Sequence, residues 1–482
     1  MPQYKVNVKW GRNLHKDVVL DTDMEPNVFK AQLYALTNVP PERQKVMIKG
    51  SIVKDDDWGN AAITQGCTIM LMGTVEGSAA SSSSNTSADG AKEDPTRPKE
   101  IEAPAPQKTP VGLNNLGNTC YLNATIQCLK VIPELRDSLD AVSRTVNQGS
   151  QITNYTQLST GLQSLYRCMD DAQKVHLSAV SPTSLLDLWF ALFPRFCEVT
   201  ENGSYRQQDA SEAWNEIVQT LQRTMSIKPS EKSLIDKYFR GTYDVQYKAI
   251  GVTQEPVSQS TEQFYQLSCF ITKDVNYLMD GLKLGLTDTV EKKSSLSDTN
   301  LEFQKTLAIS RLPVYLTVHL MRFYYKGEKK CNAKIKRPVK FSLNFDAYDL
   351  CSEELKKKLL PMREKIMAEE EKENQRQMEV RGKKVPGQPE EKRRLELPFS
   401  FEDDLGASNS GYYSLKAILT HKGRYSDSGH YVAWVQQEDG SWYKCDDDVV
   451  TQTIDQDVLK LDGSWVDGHC AYILLYGPRT WL

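Results

Sequence analysis

Between Glu76 and Thr109 the chain carries Ser81-Ser82-Ser83-Ser84 and then Pro95, Pro98, Pro104 and Pro106, with almost no large apolar side chain. Such a stretch cannot bury enough apolar surface to offset the entropy of ordering it, so its composition predicts a disordered linker. No other feature constrains the fold as much. It divides the 482 residues into a small N-terminal unit, 1–75, and a large body, 110–478, each of which must build its own core. A Ser-rich tether of this length has a root-mean-square span of roughly 30 Å, enough for the first unit to hold a partner while the body moves independently.

Composition narrows the class of function. No apolar run approaches the roughly 20 residues that span a bilayer, and the polar start from Met1 to Lys5 lacks the apolar stretch of a secretory signal. The expectation is no membrane insertion and a cytoplasmic, and also nuclear, location. The ten cysteines form no Cys-x-x-Cys pair, which predicts reduced thiols rather than disulfides or structural zinc. A net charge of −4 with acids and bases interspersed argues against a nucleic-acid partner.

In the first unit Tyr4–Trp10 alternates, Val18-Val19-Leu20 follows, and Val28, Phe29, Leu33 and Leu36 recur at helical spacing. After Pro40-Pro41 the residues Lys45–Gly50 and Thr68–Met72 read as two further strands. This order, with Pro40-Pro41-Glu42-Arg43-Gln44 ahead of the strand, resembles ubiquitin. The resemblance implies a β-grasp fold. The segment ends Met72-Gly73-Thr74-Val75 without a terminal Gly-Gly, so it is expected to be a fixed ubiquitin-like docking domain that is not itself conjugated.

The body opens with helical patterns at Leu122–Leu129, Ile132–Val142, Leu158–Met169 and Leu185–Phe193. Ala213, Ile217 and Leu221 form another helical stripe, which puts Gln207, Gln208 and Asp209 at its start; alone, they read as an N-cap. Strand patterns follow at Thr242–Tyr247, Phe264–Ile271, Tyr315–Leu320, Tyr412–Thr420, Tyr431–Val435, Ser441–Lys444 and Ala471–Tyr476. Helices first and strands afterwards indicate an α+β body. The densely charged insertion at about 353–396 predicts a solvated helix and then a disordered loop.

Gly112-Leu113-Asn114-Asn115-Leu116-Gly117-Asn118-Thr119-Cys120-Tyr121 delivers a cysteine from a polar loop to a helix start, with Asn118 and Thr119 as capping residues. Exposed backbone N–H groups and the positive end of the dipole favour a thiolate there. Taken alone, Cys120 reads better as a buried structural cysteine opening a core helix than as a nucleophile. A thiol nucleophile needs a base, and six histidines are available. His15, His176, His319 and His469 lie in unremarkable or core-like contexts, and His421 ends a strand as a candidate for a supporting or substrate-side role. His430 differs: Ser426-Asp427-Ser428-Gly429 precede it and a strand begins at it, so a glycine-hinged loop brings an imidazole to a sheet edge. Asp446 ends the next strand of the apparent hairpin, where it could accept from one ring nitrogen while the other faces Cys120.

The stretch Gly112–Tyr121, the Gln-Gln-Asp-Ala segment at 207–210, and Gly-Tyr-Tyr-x-Leu…His-x-Gly…Ser-Gly-His-Tyr-Val from Gly411 to Val432 together resemble the boxes of the ubiquitin-specific protease family. With the N-terminal ubiquitin-like unit and no cysteine pairs for zinc, the architecture is similar to the proteasome-associated members. The resemblance implies a papain-like thumb, palm and fingers that need no metal or cofactor. Its substrate is ubiquitin on ubiquitinated proteins, its partner the 26S proteasome regulatory particle, and the free chain is expected to be a monomer. It implies Cys120 as nucleophile, His430 as base and then acid, Asp446 as orienting carboxylate with Asp447 as the alternative, and Asn115 as oxyanion donor. Gln208 and Asp209 would bind the ubiquitin tail, and Phe323, Tyr325, Tyr431 and Tyr472 would form aromatic walls. Loops at about 324–340 and 422–428, the second holding Ser426 and Ser428 as regulatory candidates, would cover the tail groove until docking moves them. A non-catalytic ubiquitin receptor or adaptor, and a protease for another ubiquitin-like modifier, are the competing readings.

Overall fold

The structure, a computed structural model, describes residues 3–10, 13–22, 26–37, 39, 44–48, 51–53, 58 and 63–72, then 109–147, 153–201, 203–225, 233–297, 299–326, 331–381, 397–425, 428–464 and 468–479. They fall into two compact units, 1–103 and 104–482. The expected linker lies almost wholly outside the described residues.

In the first unit β1 (Gln3–Trp10), β2 (Asn13–Asp21), α1 (Pro26–Thr37), β3 (Lys45–Ile48), β4 (Ser51–Ile52) and β5 (Thr68–Met72) follow one another. Its sheet has the order β2-β1-β5-β3-β4, with β1 and β5 parallel and the other neighbours antiparallel. Strand alternation turns Val6 and Val8, Val46 and Ile48, and Ile69 and Leu71 to one face, where Phe29 and Leu33, one helical turn apart, cover them. The Gln44 amide is buried and donates to the carbonyls of Lys30 and Val39, tying the strand entry to the helix.

The second unit starts with β6 (Gly112–Leu113), α2 (Cys120–Lys130), α3 (Pro133–Asn147), α4 (Asn154–Lys174), β7 (Ala179–Val180), α5 (Thr183–Leu192), α6 (Ala210–Thr224) and α7 (Leu234–Tyr238). There follow β8 (Gly241–Ala249), β9 (Ser258–Phe264), β10 (Leu267–Cys269), α8 (Leu278–Leu284), β11 (Thr287–Lys293), β12 (Asn300–Arg311), β13 (Leu316–Leu320), β14 (Phe323–Lys326), β15 (Cys331–Lys334) and β16 (Asn344–Asp346). The chain closes with α9 (Glu353–Arg381), β17 (Tyr412–Tyr425), β18 (Ser428–Gln436), β19 (Trp442–Asp446), β20 (Val449–Thr453), α10 (Asp455–Leu459) and β21 (His469–Pro478). The main sheet runs β10-β13-β21-β17-β18-β19-β20, and β11-β12-β8-β9 forms a separate four-stranded sheet. The pair β11–β12 was not legible as strands, because its exposed faces leave little apolar alternation to read.

Helix α2 is the keystone of this unit: every residue from Cys120 to Leu129 is buried between the other helices and the main sheet. A helix enclosed on all sides must satisfy its polar side chains internally. Thr125 donates to the Tyr121 carbonyl and Gln127 to the Val111 carbonyl.

The charged insertion departs from expectation. Its helical part, α9, is not simply solvated, since Leu355, Leu359 and Ile366 enter the core. Arg363 stacks over Tyr348 and Tyr412 and pairs with Asp346 at 2.7 Å. The residues expected as its loop, 382–396, lie outside the described residues. Leu359→Ala is therefore expected to destabilise the second unit by about 2–5 kcal/mol, whereas Met367→Ala, at an exposed site on the same helix, should stay within about 0.5 kcal/mol. Urea denaturation of the two variants checks the difference.

Candidate active site

The nucleophile loop is built by one asparagine. Asn115 Oδ1 accepts from the backbone N–H of Gly117 at 3.0 Å and of Thr119 at 3.2 Å, and the Leu116 N–H donates to Thr119 Oγ1 at 2.9 Å. The reversal needs Gly117 at φ 100° and Asn118 at φ 54°, a left-handed region that glycine enters freely and asparagine tolerates. Thr119 occupies the N-cap position of α2 without making a side-chain cap bond to the helix. Its hydroxyl instead closes the loop, which corrects the capping expectation. Cys120 follows as the first helical residue, only 2% exposed.

His430 comes from the opposite wall. Strands β17 and β18 pair antiparallel with Lys422 opposite His430, and Gly429, at φ 137°, allows the close approach. A Cβ there would lie 2.2 Å from the Lys422 carbonyl oxygen. His430 Nε2 lies 2.6 Å from Asp446 Oδ1. The bond to Asp446 first, and then the neighbouring Cys120 thiol, push the imidazole up to about 10. Reciprocally, the His430 bond holds the Asp446 carboxyl well below the usual carboxylate range. His430 is thus bonded to Asp446 at 2.6 Å and lies close enough to Cys120 to feel its thiol.

Asp447, the alternative orienting acid, is placed differently. Its Oδ2 is 3.9 Å from His430 Nε2, beyond hydrogen-bonding distance. The carboxylate instead accepts from Asn115 Nδ2 at 2.8 Å and Asn123 Nδ2 at 2.9 Å, and its carbonyl accepts from the Leu113 N–H at 2.8 Å. Burial raises its carboxyl pKa against these bonds. Asp447 adopts φ 53° to do this, so the turn after β19 clamps the loop ahead of Cys120 while Asp446 holds the His430 ring.

The expected tail-binding residues lie beside this line. Asp209 caps α6 by accepting from the Ser211 N–H at 2.7 Å, and both its oxygens lie 2.8 Å from the Tyr472 hydroxyl. Burial raises its carboxyl pKa. Gln208 is half-buried beside it. Phe323 packs edge-on against Tyr472 and His421, each at 5.3 Å. Tyr431 and Tyr472 are 1% and 3% exposed, so they form the packed floor of this region rather than open walls, a correction that follows from their place on central strands. Tyr325 lies on β14 opposite Asn332; its side chain lies outside the described residues, as does Ser426. Ser428 is exposed at the start of β18, paired with Tyr425.

Both expected covering loops include paired strand among the described residues. The first contains the β14–β15 hairpin, and the second is the paired end of β17 and β18. Lys334 of the hairpin contacts His421 at Nδ1, 3.0 Å, and at the backbone oxygen, 2.6 Å. His421 is fully buried, and burial pushes it down to about 3, so it neither faces substrate nor takes up a proton near neutrality. Lys444 and Asn123 were missed. Both carried a signal in their spacing, because Lys444 shares a strand face with Asp446 two residues on, and Asn123 lies one helical turn after Cys120.

The family model for ubiquitin carboxyl-terminal hydrolase matches residues 111–476. Ubiquitin carboxyl-terminal hydrolase 14 of Caenorhabditis elegans is 38% identical over 482 residues, covering 98% of this chain and 93% of that protein. Ubiquitin carboxyl-terminal hydrolase 6 of Arabidopsis thaliana is 35% identical, with 98% of each chain covered. The structure of the SAGA Ubp8/Sgf11/Sus1/Sgf73 DUB module bound to ubiquitin aldehyde aligns at a TM-score of 0.51 and 19% identity, over 77% of this chain and 70% of that one. At that identity it speaks for the mixed papain-like fold alone. The chain belongs to the ubiquitin carboxyl-terminal hydrolase family, as a ubiquitin-specific protease of the cysteine-type ubiquitinyl hydrolases.

Proposed function

We propose that this chain cleaves the bond that follows the C-terminal Gly-Gly of ubiquitin, releasing ubiquitin from conjugates held at the proteasome. The grouping of Cys120 with a His430 that is bonded to Asp446 at 2.6 Å is the observation that carries this reading. Cys120 Sγ attacks the terminal glycine carbonyl, the oxyanion forms beside Asn115, and His430 gives its proton to the departing amine as the C–N bond breaks. The thioester is then hydrolysed by a water that His430 deprotonates. Asp446 keeps the imidazole in the orientation that serves both steps. Two consecutive glycines suit a cleft in which backbone must come close to the thiol; Asp209 and Gln208 are the proposed contacts for the residues before them.

The N-terminal unit is the proposed proteasome-docking domain. Its sheet order and single covering helix agree with a ubiquitin-like domain, and the missing Gly-Gly agrees with one that is not processed. The free enzyme is proposed to be restrained. The low exposure of Cys120 and the pinning of the β14–β15 hairpin through Lys334 support that reading. Such an enzyme would act in the cytoplasm and nucleus. The test is cleavage of a ubiquitin C-terminal fluorogenic reporter by the full chain, with and without proteasomes stripped of their own deubiquitinase. At least tenfold faster cleavage with proteasomes is expected, and lost on deleting residues 1–75. Equal rates would overturn docking-dependent activation, and no cleavage in either condition would overturn the hydrolase reading of this site.

A further inference from the structure

We propose that Lys444 is a positioning residue for the reaction: by holding the outer oxygen of Asp446, it sets the carboxylate that orients His430. This rests on the hydrolase reading above and extends the line of interacting groups by one member.

The Asp446 carboxylate is gripped at both oxygens. Oδ1 is 2.6 Å from His430 Nε2, and Oδ2 is 2.8 Å from Lys444 Nζ. With one oxygen held, a carboxylate can still turn about its terminal torsion, which is broad and soft. Held at both, its plane is fixed and Oδ1 stays aimed at the ring nitrogen. Asp446 needs this, because its side chain is 31% exposed and water could otherwise compete for either oxygen.

Lys444 is itself anchored. It stands directly opposite Trp434 across β18 and β19, and Nζ lies 5.8 Å from that indole's centroid. The four-carbon stem is thereby packed against a buried ring while the ammonium reaches Asp446. The side chain is 25% exposed, so solvent weakens the attraction without abolishing it.

The titratable groups at this point are Asp446 and Cys445 on the same strand, Asp447 in the turn, His430 on β18, Lys422 and His421 on β17 and Cys120 on α2. Two effects of Lys444 oppose each other. Its charge alone disfavours the nearby imidazolium, whereas its grip on Asp446 strengthens the bond that favours it. The charge effect prevails on the titration, because an ammonium on Oδ2 leaves Oδ1 a weaker acceptor for the imidazolium, while the grip acts on geometry and so on rate. Removing Lys444 should therefore raise the pH at which His430 loses its proton.

The experiment uses full-length Lys444→Met, which keeps the stem but neither charge nor donor, and Lys444→Arg, which restores both. For Lys444→Met, kcat on the reporter should fall about tenfold with KM within about twofold. The alkaline limb of kcat/KM should move to higher pH, and Lys444→Arg should recover most of both changes. The His430 imidazole titration, followed by NMR in carbon-labelled-histidine protein and assigned with His430→Gln, reports the same shift without any substrate. It therefore separates this proposal from the reading of the reaction. A Lys444→Met titration that is unmoved or moves to lower pH, or a Lys444→Met kcat equal to that of the native chain, overturns positioning by Lys444. An upward shift in a chain whose native form never cleaves the reporter keeps the contact of Lys444 with the Asp446–His430 pair and overturns the hydrolase reading.

Discussion

His430→Ala is expected to lower kcat/KM for a ubiquitin C-terminal reporter by about 10⁴-fold or more, and Cys120→Ala to bring it to background, because groups acting as one unit each cost nearly the whole effect. Ubiquitin affinity should stay within a few-fold in both, since neither residue belongs to the proposed tail-binding pair. The pH behaviour gives a second readout. The folded imidazole is raised from 6.5 to about 10, chiefly by its bond to Asp446. A raised histidine contributes stability that is fully present below pH 6.5 and is lost as pH rises through about 10. The urea midpoint of the native chain should therefore fall between pH 7 and 10 by more than that of His430→Ala. Parallel midpoints for the two proteins would sink the assignment of this ion pair.

The parts of the site that could be read in the sequence were those whose local pattern is itself the requirement. Gly117 and Asn118 mark a loop that enters the left-handed region, and the run of apolar spacings after Cys120 marks a helix; both are properties of neighbouring residues. Gly429 ahead of His430 likewise signals a close backbone approach. Other parts depend on pairing between distant segments, which no local periodicity encodes. Asp446 and Asp447 are adjacent and chemically alike, yet the hydrogen bonds of Asn115 and Asn123 give them different partners. The docked half of α9 was hidden for the same reason. Its Lys and Glu content reads as solvated, while Leu355 and Leu359 join a core whose strands come from far along the chain. The burial of Tyr431 and Tyr472 follows from the sheet order, in which β21 and β18 lie on either side of β17.

The remaining large effect concerns the oxyanion. Asn115→Ala is expected to reduce kcat by about 10²–10³-fold, or about 2.7–4 kcal/mol, with KM nearly unchanged. The amide cannot turn freely. Its oxygen is held by two backbone N–H groups of the nucleophile loop, and its nitrogen by Asp447, so the second N–H has a fixed direction. The Cys120 backbone N–H, at the first helical position, has no acceptor within its own helix and supplies a second donor. The loop therefore offers donors for a charge that exists only in the transition state, which is why kcat rather than KM should respond. Asp447 reaches the site through this amide and through Asn123. Asp447→Asn, which keeps a residue tolerant of the left-handed turn, should cost less than Asn115→Ala alone, and adding it to Asn115→Ala should cost little further. Additive losses would mean that Asp447 acts apart from Asn115, through Asn123 or across its 3.9 Å separation from the imidazole.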